Sequence, residues 1–164
     1  MSHSPEAQRP GVKVFYSYSH KDEDLREELQ THLALMRRQQ IIAEWHDRAL
    51  LAGDTWPDEI DEHLETADVI LLLISANFIA SEYCYGKEMK RALERREAGE
   101  ALVIPIYLKS TDMKGAPFAS IQGVPRDQIP VVSSRWHHRD EAWLHVTKAL
   151  RAAITNWQEK KQTS

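Results

Sequence analysis

Cysteine is almost absent from this chain, because Cys84 is the single one among 164 residues. A lone thiol cannot form an internal disulfide, and such sparse usage is typical of a reducing compartment. The segment from Met1 to Pro10 is polar and lacks the apolar core of a secretory signal. The longest apolar run, Val69 to Ile74, is far too short to cross a bilayer. We therefore expect a cytoplasmic protein with no membrane contact.

An excess of positive charge is also missing. Lys and Arg number 21 against 25 Asp and Glu, so the formal net charge is -4, which argues against binding to nucleic acid. A local basic cluster lies between Lys87 and Arg96, but acidic residues interrupt it, and we interpret it as a solvated helix face.

Several common sequence motifs are missing as well. The chain has neither a G-x-G-x-x-G nor a Walker A sequence to cradle a pyrophosphate, and no G-x-S-x-G elbow for a serine hydrolase. His137 and His138 lack cysteine partners or helix-spaced ligands, so we expect no metal site. A response regulator would need an aspartate at the end of the third predicted strand, where this chain has Ser75.

What is present is an alternation of strand and helix patterns. The length suits one domain, which we place at 11–157, between a disordered tail at 1–10 and a polar tail or linker at 158–164. Apolar, β-rich segments predict five strands, at 12–17, 40–45, 68–74, 101–108 and 130–133. Helical spacing of apolar residues predicts helices after Ser19, after Pro57, at 81–98 and at 139–157, and the segment 110–130 is irregular.

This alternation predicts an α/β fold. The leading topology is a flavodoxin-like, five-stranded parallel sheet in the order 2-1-3-4-5 with helices on both faces. In that order, ligands bind outside the carboxyl ends of strands one and three. Those ends are 17–20 and 75–77. Ser19 also offers a helix N-cap, with Asp22 three residues later in a position like that of a capping box.

Glu88 is the residue that points most directly to chemistry. On a helical wheel with Tyr85 at zero, Met89 and Ala92 lie on the same apolar side, and Glu88 lies at its border. A carboxylate at the edge of a buried face, close to the predicted ligand cleft, is placed for catalysis. The alternative is an ion pair on the helix surface with Lys87 or Arg91.

Three sequence segments together resemble one known family. The first segment, Val14–Ser19, is an apolar strand that leads into a Ser-Tyr pair. The second runs from Trp45 to Arg48 and continues through Leu51–Trp56. The third is Ser75-Ala76-Asn77-Phe78 followed by Ser81 and Glu88. In this order and spacing, from about Val12 to Ile154, the chain resembles Toll/interleukin-1 receptor (TIR) domains, particularly bacterial ones.

The resemblance implies two functional alternatives. Some members of that family cleave the bond between nicotinamide and ribose in NAD, with an essential glutamate at the position of Glu88. This implies an NAD glycohydrolase that releases nicotinamide and ADP-ribose or a cyclic isomer, activated by self-association as an effector in antiphage defence. NAD is then a substrate, no cofactor is required, and the partners are further TIR domains and a fused or separate sensor domain. The alternative is a non-catalytic module that signals by homotypic self-association.

A single carboxylate suits that reaction. Ordinary glycosidases need two, because one must protonate the leaving oxygen. Nicotinamide is already cationic in NAD and leaves as a neutral molecule, so no acid is required. One ionised glutamate can stabilise the oxocarbenium-like ribose and position its hydroxyls.

The resemblance also implies residues that bind the substrate. Enzymatic members often have tryptophan four residues before the glutamate, where this chain has Cys84, and Tyr83 or Tyr85 could replace that aromatic wall. Some candidates have simpler explanations: Ser19 as a helix cap, Trp56 as a residue packed on the sheet, Cys84 as a structural residue, and Arg48 as a partner of Asp47. The predicted set is Ser17, Tyr18, Ser19, Trp45, Arg48, Trp56, Ser75 and Cys84.

Overall fold

The computed structural model describes residues 10–47 and 62–163. In these ranges four parallel strands form one sheet in the order β2-β1-β3-β4. The strands are β1 (Val12–Ser17), β2 (Ile42–His46), β3 (Val69–Ile74) and β4 (Leu102–Tyr107). The parallel sheet and the order of its first four strands are as predicted.

Helices cover both faces of this sheet. The α-helices are α1 (Glu23–His32), α2 (Ala34–Arg38), α3 (Glu62–Thr66), α4 (Ala76–Ala80), α5 (Met89–Glu97) and α6 (Arg139–Thr163). A π turn, Cys84–Glu88, leads directly into α5, and the described residues also form short 3-10 turns at His20–Asp22, Pro117–Ser120 and Arg126–Gln128. The helix predicted at 81–98 is therefore present from Glu82 to Glu97 with the π turn inside it, and α4 precedes it. None of the helices in the described part is long and apolar enough to cross a membrane.

The side chains of β3 are buried on both faces of the sheet, as its unbroken apolar sequence predicts. Tyr16 and Leu71 lie on one face and pack in a layer with α1, α2 and α6, which we call the α6 layer. Phe15 and Leu72 lie on the other face and pack with α3, α4 and α5, which we call the α5 layer. Successive residues of a strand point to opposite faces, so neighbours on β1 belong to different layers.

The prediction of a fifth strand at 130–133 is wrong. Within the described residues, the outer edge of β4 is covered by irregular chain. Val124 N–H donates to Pro105 O at 2.9 Å, and Val131 N–H donates to Tyr107 O at 2.9 Å. A regular strand does not form here because Pro125 and Pro130 have no N–H to donate to a ladder.

Gly123 permits this close approach to β4. A Cβ atom at this position would lie 2.6 Å from Tyr107 Cε2 and 2.9 Å from Pro105 O. Any larger residue would therefore push the segment away from the sheet edge.

The structure describes the C-terminal end of the chain but little of the N-terminal end. Helix α6 continues beyond Trp157 to Thr163, so the polar tail predicted at 158–164 is helical through Thr163. The disordered tail predicted at 1–10 lies outside the described residues, apart from Pro10.

Candidate functional site

Glu88 is fully buried, with 0% of its surface exposed, at the end of the π turn. Ser17 Oγ, at the carboxyl end of β1, donates a hydrogen bond of 2.7 Å to Glu88 Oε1. Ser17 follows Phe15 by two residues, so its side chain points into the α5 layer, on the side of the sheet from which Glu88 approaches. The buried carboxylate therefore meets the carboxyl edge of the sheet, where the topology predicts a ligand cleft.

The alternative of a surface ion pair for Glu88 is wrong because the side chain is buried. Arg91 instead contacts Glu65 through two hydrogen bonds, Nε to Oε2 at 2.6 Å and Nη2 to Oε1 at 2.9 Å. These hydrogen bonds hold the pKa of Glu65 below its ordinary value.

Local hydrogen bonds explain how the chain presents Glu88. Ser81 is extended, and its Oγ accepts a hydrogen bond of 3.1 Å from Cys84 N–H, which caps the new helical segment. Met89 N–H then donates to Cys84 O, which is the five-residue spacing of a π turn. Single π turns within helices often occur at functional sites.

Tyr18 points away from Glu88 into the α6 layer. Its Oη lies 2.5 Å from Glu23 Oε2 and 2.8 Å from Asp47 Oδ2, so two carboxylates share one hydroxyl. Arg26 forms an ion pair with Glu23 and lies 5.7 Å above the Tyr18 ring. Burial, followed by hydrogen bonds to the two carboxylates, raises the pKa of Tyr18 well above its usual range.

A second buried carboxylate, Asp22, joins the carboxyl ends of three strands. Ser75 Oγ donates to Asp22 Oδ2 at 2.5 Å, and Asn77 Nδ2 donates to Oδ1 at 3.2 Å. Lys109 Nζ, just beyond β4, lies 2.9 Å from Oδ1. Ser75 Oγ also accepts a hydrogen bond from Phe78 N–H and thereby caps α4. The sequence placed Asp22 only in a capping motif, because its partners are distant along the chain.

A family model for the TIR domain matches residues 14–129. This chain belongs to the TIR domain family. It is 51% identical over 140 residues to the "Uncharacterized protein y4lF" of Sinorhizobium fredii (strain NBRC 101917 / NGR234), which covers 85% of this chain. The chain spans only 43% of that relative.

The chain is also similar to the TIR domains in a structure of the activated Roq1 resistosome directly recognizing the pathogen effector XopQ. The TM-score is 0.46 at 19% sequence identity, and the match covers 91% of this chain and 80% of the other.

The described members of the predicted site of this TIR domain lie in the α5 layer, at the carboxyl edge of the sheet and in the α6 layer. Ser17, Cys84 and Glu88 lie in the α5 layer, and Cys84 is fully buried there. Ser19 and Ser75 are caps at the carboxyl edge of the sheet, where Ser19 Oγ accepts from Lys21 N–H at 3.3 Å. The N-cap expected at Ser19 is therefore confirmed.

The remaining predicted residues lie in the α6 layer or outside the described ranges. Trp45 pairs with Val14 in the sheet and packs against the α6 layer. Arg48 and Trp56 lie outside the described residues. Asp47 contacts Tyr18, as described above, so its side chain connects the end of β2 to β1.

The basic cluster of this TIR domain includes an inward-facing residue that sequence analysis missed. Arg95 is only 6% exposed, and its Nη1 donates to Leu64 O at 2.8 Å and to Ala67 O at 2.7 Å. Its position three residues after Ala92 on the buried side of α5 is the signal that could have identified it. Among the described residues, no group of three or more His, Cys, Asp or Glu side chains is arranged to hold a metal.

Proposed function

We propose that this TIR domain is an NAD glycohydrolase in which Glu88 is the catalytic carboxylate. The observation that supports the proposal is the burial of Glu88 at the carboxyl edge of β1, with Ser17 as a hydrogen-bond donor 2.7 Å away. A buried carboxylate is costly, so a protein keeps one where chemistry or a specific contact requires it.

In the proposed reaction, the bond between nicotinamide and the ribose anomeric carbon breaks, and neutral nicotinamide leaves with the electron pair. Glu88 stabilises the positive charge that develops on the ribose. The electrostatic attraction between the carboxylate and this charge is strong because the site has a low dielectric constant. Water then attacks the cation and releases a proton to the solvent to give ADP-ribose, or a group of the same molecule attacks it to give a cyclic isomer. Ser17 acts as a positioning residue, because its hydroxyl orients one oxygen of Glu88.

The wider biological role belongs to the same proposal. We place the protein in the cytoplasm as an effector of bacterial antiphage defence, activated when TIR domains assemble and when a fused or separate sensor domain triggers them. The substrate-binding residues are proposed from the family resemblance: Ser17, Tyr18, Ser19, Trp45, Arg48, Trp56, Ser75 and Cys84.

A second candidate is a non-catalytic module that acts by self-association. A groove of about 480 Å³ along α5 favours it, because Tyr85, Met89, Leu93 and Pro117 form much of its lining and offer an apolar surface to another protein.

Release of nicotinamide from NAD distinguishes the two candidates. The wild-type protein is assayed at increasing protein concentration, beside Glu88→Ala and Glu88→Gln. The matched control is Glu82→Gln, which removes a carboxylate from an exposed position near the start of the same helical segment. We expect both Glu88 variants to lose activity by more than about 100-fold, the usual effect of removing a central electrostatic group, and Glu82→Gln to retain it. Inactivity of the wild type at concentrations where it assembles would favour the interaction module.

A further inference from the structure

A cavity lies at the amino edge of the sheet, at the opposite end of the strands from Glu88. Its volume is about 370 Å³, which is within the range of about 300–1,000 Å³ that is typical of small-molecule sites. One wall is formed by the starts of β1, β3 and β4, and the other by the last turns of α6. None of the described members of the candidate active site lines this cavity.

Hydrogen bonds from α6 hold the two walls of the cavity together. Gln158 Nε2 donates to Pro10 O at 3.1 Å, and Lys161 Nζ donates to Gly99 O at 2.7 Å. The first bond connects α6 to the segment before β1, and the second connects it to the segment before β4. The cavity is therefore preorganised, which reduces the entropic cost of binding a ligand.

The charges that face the cavity favour a cation. Asp68, directly before β3, and Glu100, two residues before β4, contribute carboxylates to its lining. The C-terminal end of α6 adds the partial negative charge of a helix terminus. Because these charges repel phosphate groups, the cavity is unsuited to NAD or another nucleotide.

The two carboxylates already have partners within the protein. Asp68 Oδ2 accepts a hydrogen bond of 2.9 Å from Lys13 N–H. Glu100 Oε1 lies 3.3 Å from Arg95 Nε, and the Glu100 side chain is half-exposed. Since a carboxylate has about four lone-pair sites, each of them retains the capacity to accept from a ligand.

Trp157 supplies an aromatic face to the same cavity. Its side chain is partly buried against the α6 layer and also lines the cavity. Lys161 Nζ lies 5.3 Å from the ring centroid, within the range of a cation–π contact. The lysine side chain is an aliphatic ammonium, so this contact identifies the chemical group that the ring and the carbonyl of Gly99 accept.

We propose that this cavity binds a linear aliphatic polyamine. The methylene groups of the ligand lie against the Trp157 ring, and two of its ammonium groups pair with Asp68 and Glu100. Carboxylates at the starts of two neighbouring strands favour a ligand with more than one charge, because each carboxylate then has its own ammonium. This inference does not depend on NAD cleavage, since the cavity and Glu88 lie at opposite edges of the sheet.

Titration with spermidine tests the inference. Its dissociation constant is measured by calorimetry at constant ionic strength for wild type, Trp157→Leu, Glu100→Gln and the double variant Asp68→Asn/Glu100→Gln. NMR follows the indole N–H of Trp157 in the wild type, and butylamine, which has one charge, is titrated in parallel. The matched control is Glu159→Gln, which removes an exposed negative charge from α6 outside the lining of the cavity.

We expect Glu100→Gln to bind spermidine about 2- to 5-fold more weakly, which corresponds to the loss of one exposed ion pair. Trp157→Leu should weaken binding about 2- to 5-fold through the loss of the cation–π contact. The double variant should bind at least about 5-fold more weakly, and butylamine should bind the wild type at least about 5-fold more weakly than spermidine does. Glu159→Gln should not differ from wild type, and the indole N–H of Trp157 should shift on saturation.

Several results would overturn the inference. They are the absence of saturable spermidine binding to the wild type, an indole N–H of Trp157 that does not shift, and a double variant that binds as tightly as the wild type. Equal effects of Glu100→Gln and Glu159→Gln would also overturn it, because they indicate a general attraction of polyamines to an acidic protein. If Trp157→Leu does not fold, the carboxylate variants and the indole N–H of the wild type still decide the question.

Discussion

Ser17 and Glu88 are joined by a hydrogen bond of 2.7 Å across 71 residues of sequence, and both residues are fully buried. The bond connects the last residue of β1 to the last residue of the π turn. It therefore couples the position of the candidate catalytic carboxylate to the central part of the sheet.

Replacing Ser17 with alanine removes the donor to Glu88. We expect the free energy of unfolding to fall by about 1–3 kcal/mol, the usual cost of removing one partner of a buried hydrogen bond, and nicotinamide release to fall with it. Urea denaturation measures the first effect. A double-mutant cycle with Glu88→Ala, which removes the acceptor, isolates the pair, and a coupling energy near zero would contradict the assigned contact.

Arg95 should be important for stability although it belongs to a charged helix. Arg95→Met keeps an unbranched stem but leaves the carbonyls of Leu64 and Ala67 without their donor. We expect a loss of about 2–4 kcal/mol in the free energy of unfolding, because buried acceptors are left unpaired. The control Arg96→Met changes an exposed neighbour and should stay within about 0.5 kcal/mol of wild type. Similar unfolding midpoints for the two variants would refute the buried role of Arg95.

Asp22→Asn tests the contacts between the ends of β1, β3 and β4. The amide has the same shape but no charge, so it weakens the contacts with Ser75 and Lys109. We expect a destabilisation of about 1–3 kcal/mol and faster hydrogen exchange at Phe78 N–H, whose acceptor is Ser75 Oγ. Asp24→Asn, an exposed substitution in α1, serves as the control. Unchanged exchange at Phe78 would show that Asp22 does not hold the cap of α4.

Because of Tyr18, the free energy of unfolding should decrease at alkaline pH. The pKa of Tyr18 is raised above the ordinary value of a tyrosine in the folded state, because burial and the carboxylates of Glu23 and Asp47 disfavour the phenolate. Its contribution is therefore complete below about pH 10, the unfolded pKa, and is lost as pH rises above that value. Tyr18→Phe should reduce the alkaline fall in the free energy of unfolding, measured by urea denaturation across pH. Identical pH profiles for the variant and the wild type would contradict the shift.

Much of the core could be predicted from local pattern. The unbroken apolar run of β3 indicated a strand buried on both faces, and the structure places it between β1 and β4. The apolar periodicity around Ala92 placed Glu88 at a buried border, which is close to its observed burial. The prediction of a fifth strand was wrong because the apolar residues Val131 and Val132 resemble a strand, whereas Pro125 and Pro130 cannot donate to a ladder with β4.

The sequence alone determined the α/β class, the parallel strands and the presence of a carboxylate beside the predicted cleft, because periodic burial is encoded in neighbouring residues. Only the tertiary structure decided that Ser17 contacts Glu88 and that Asp22 binds the side chains of Ser75, Asn77 and Lys109. It also decided that the π turn places Tyr83 inward instead of Tyr85. These features depend on segments far apart in the chain, or on a shift of one residue in helical register. Neither leaves a local periodic signal, because each is established only when the layers pack on the sheet.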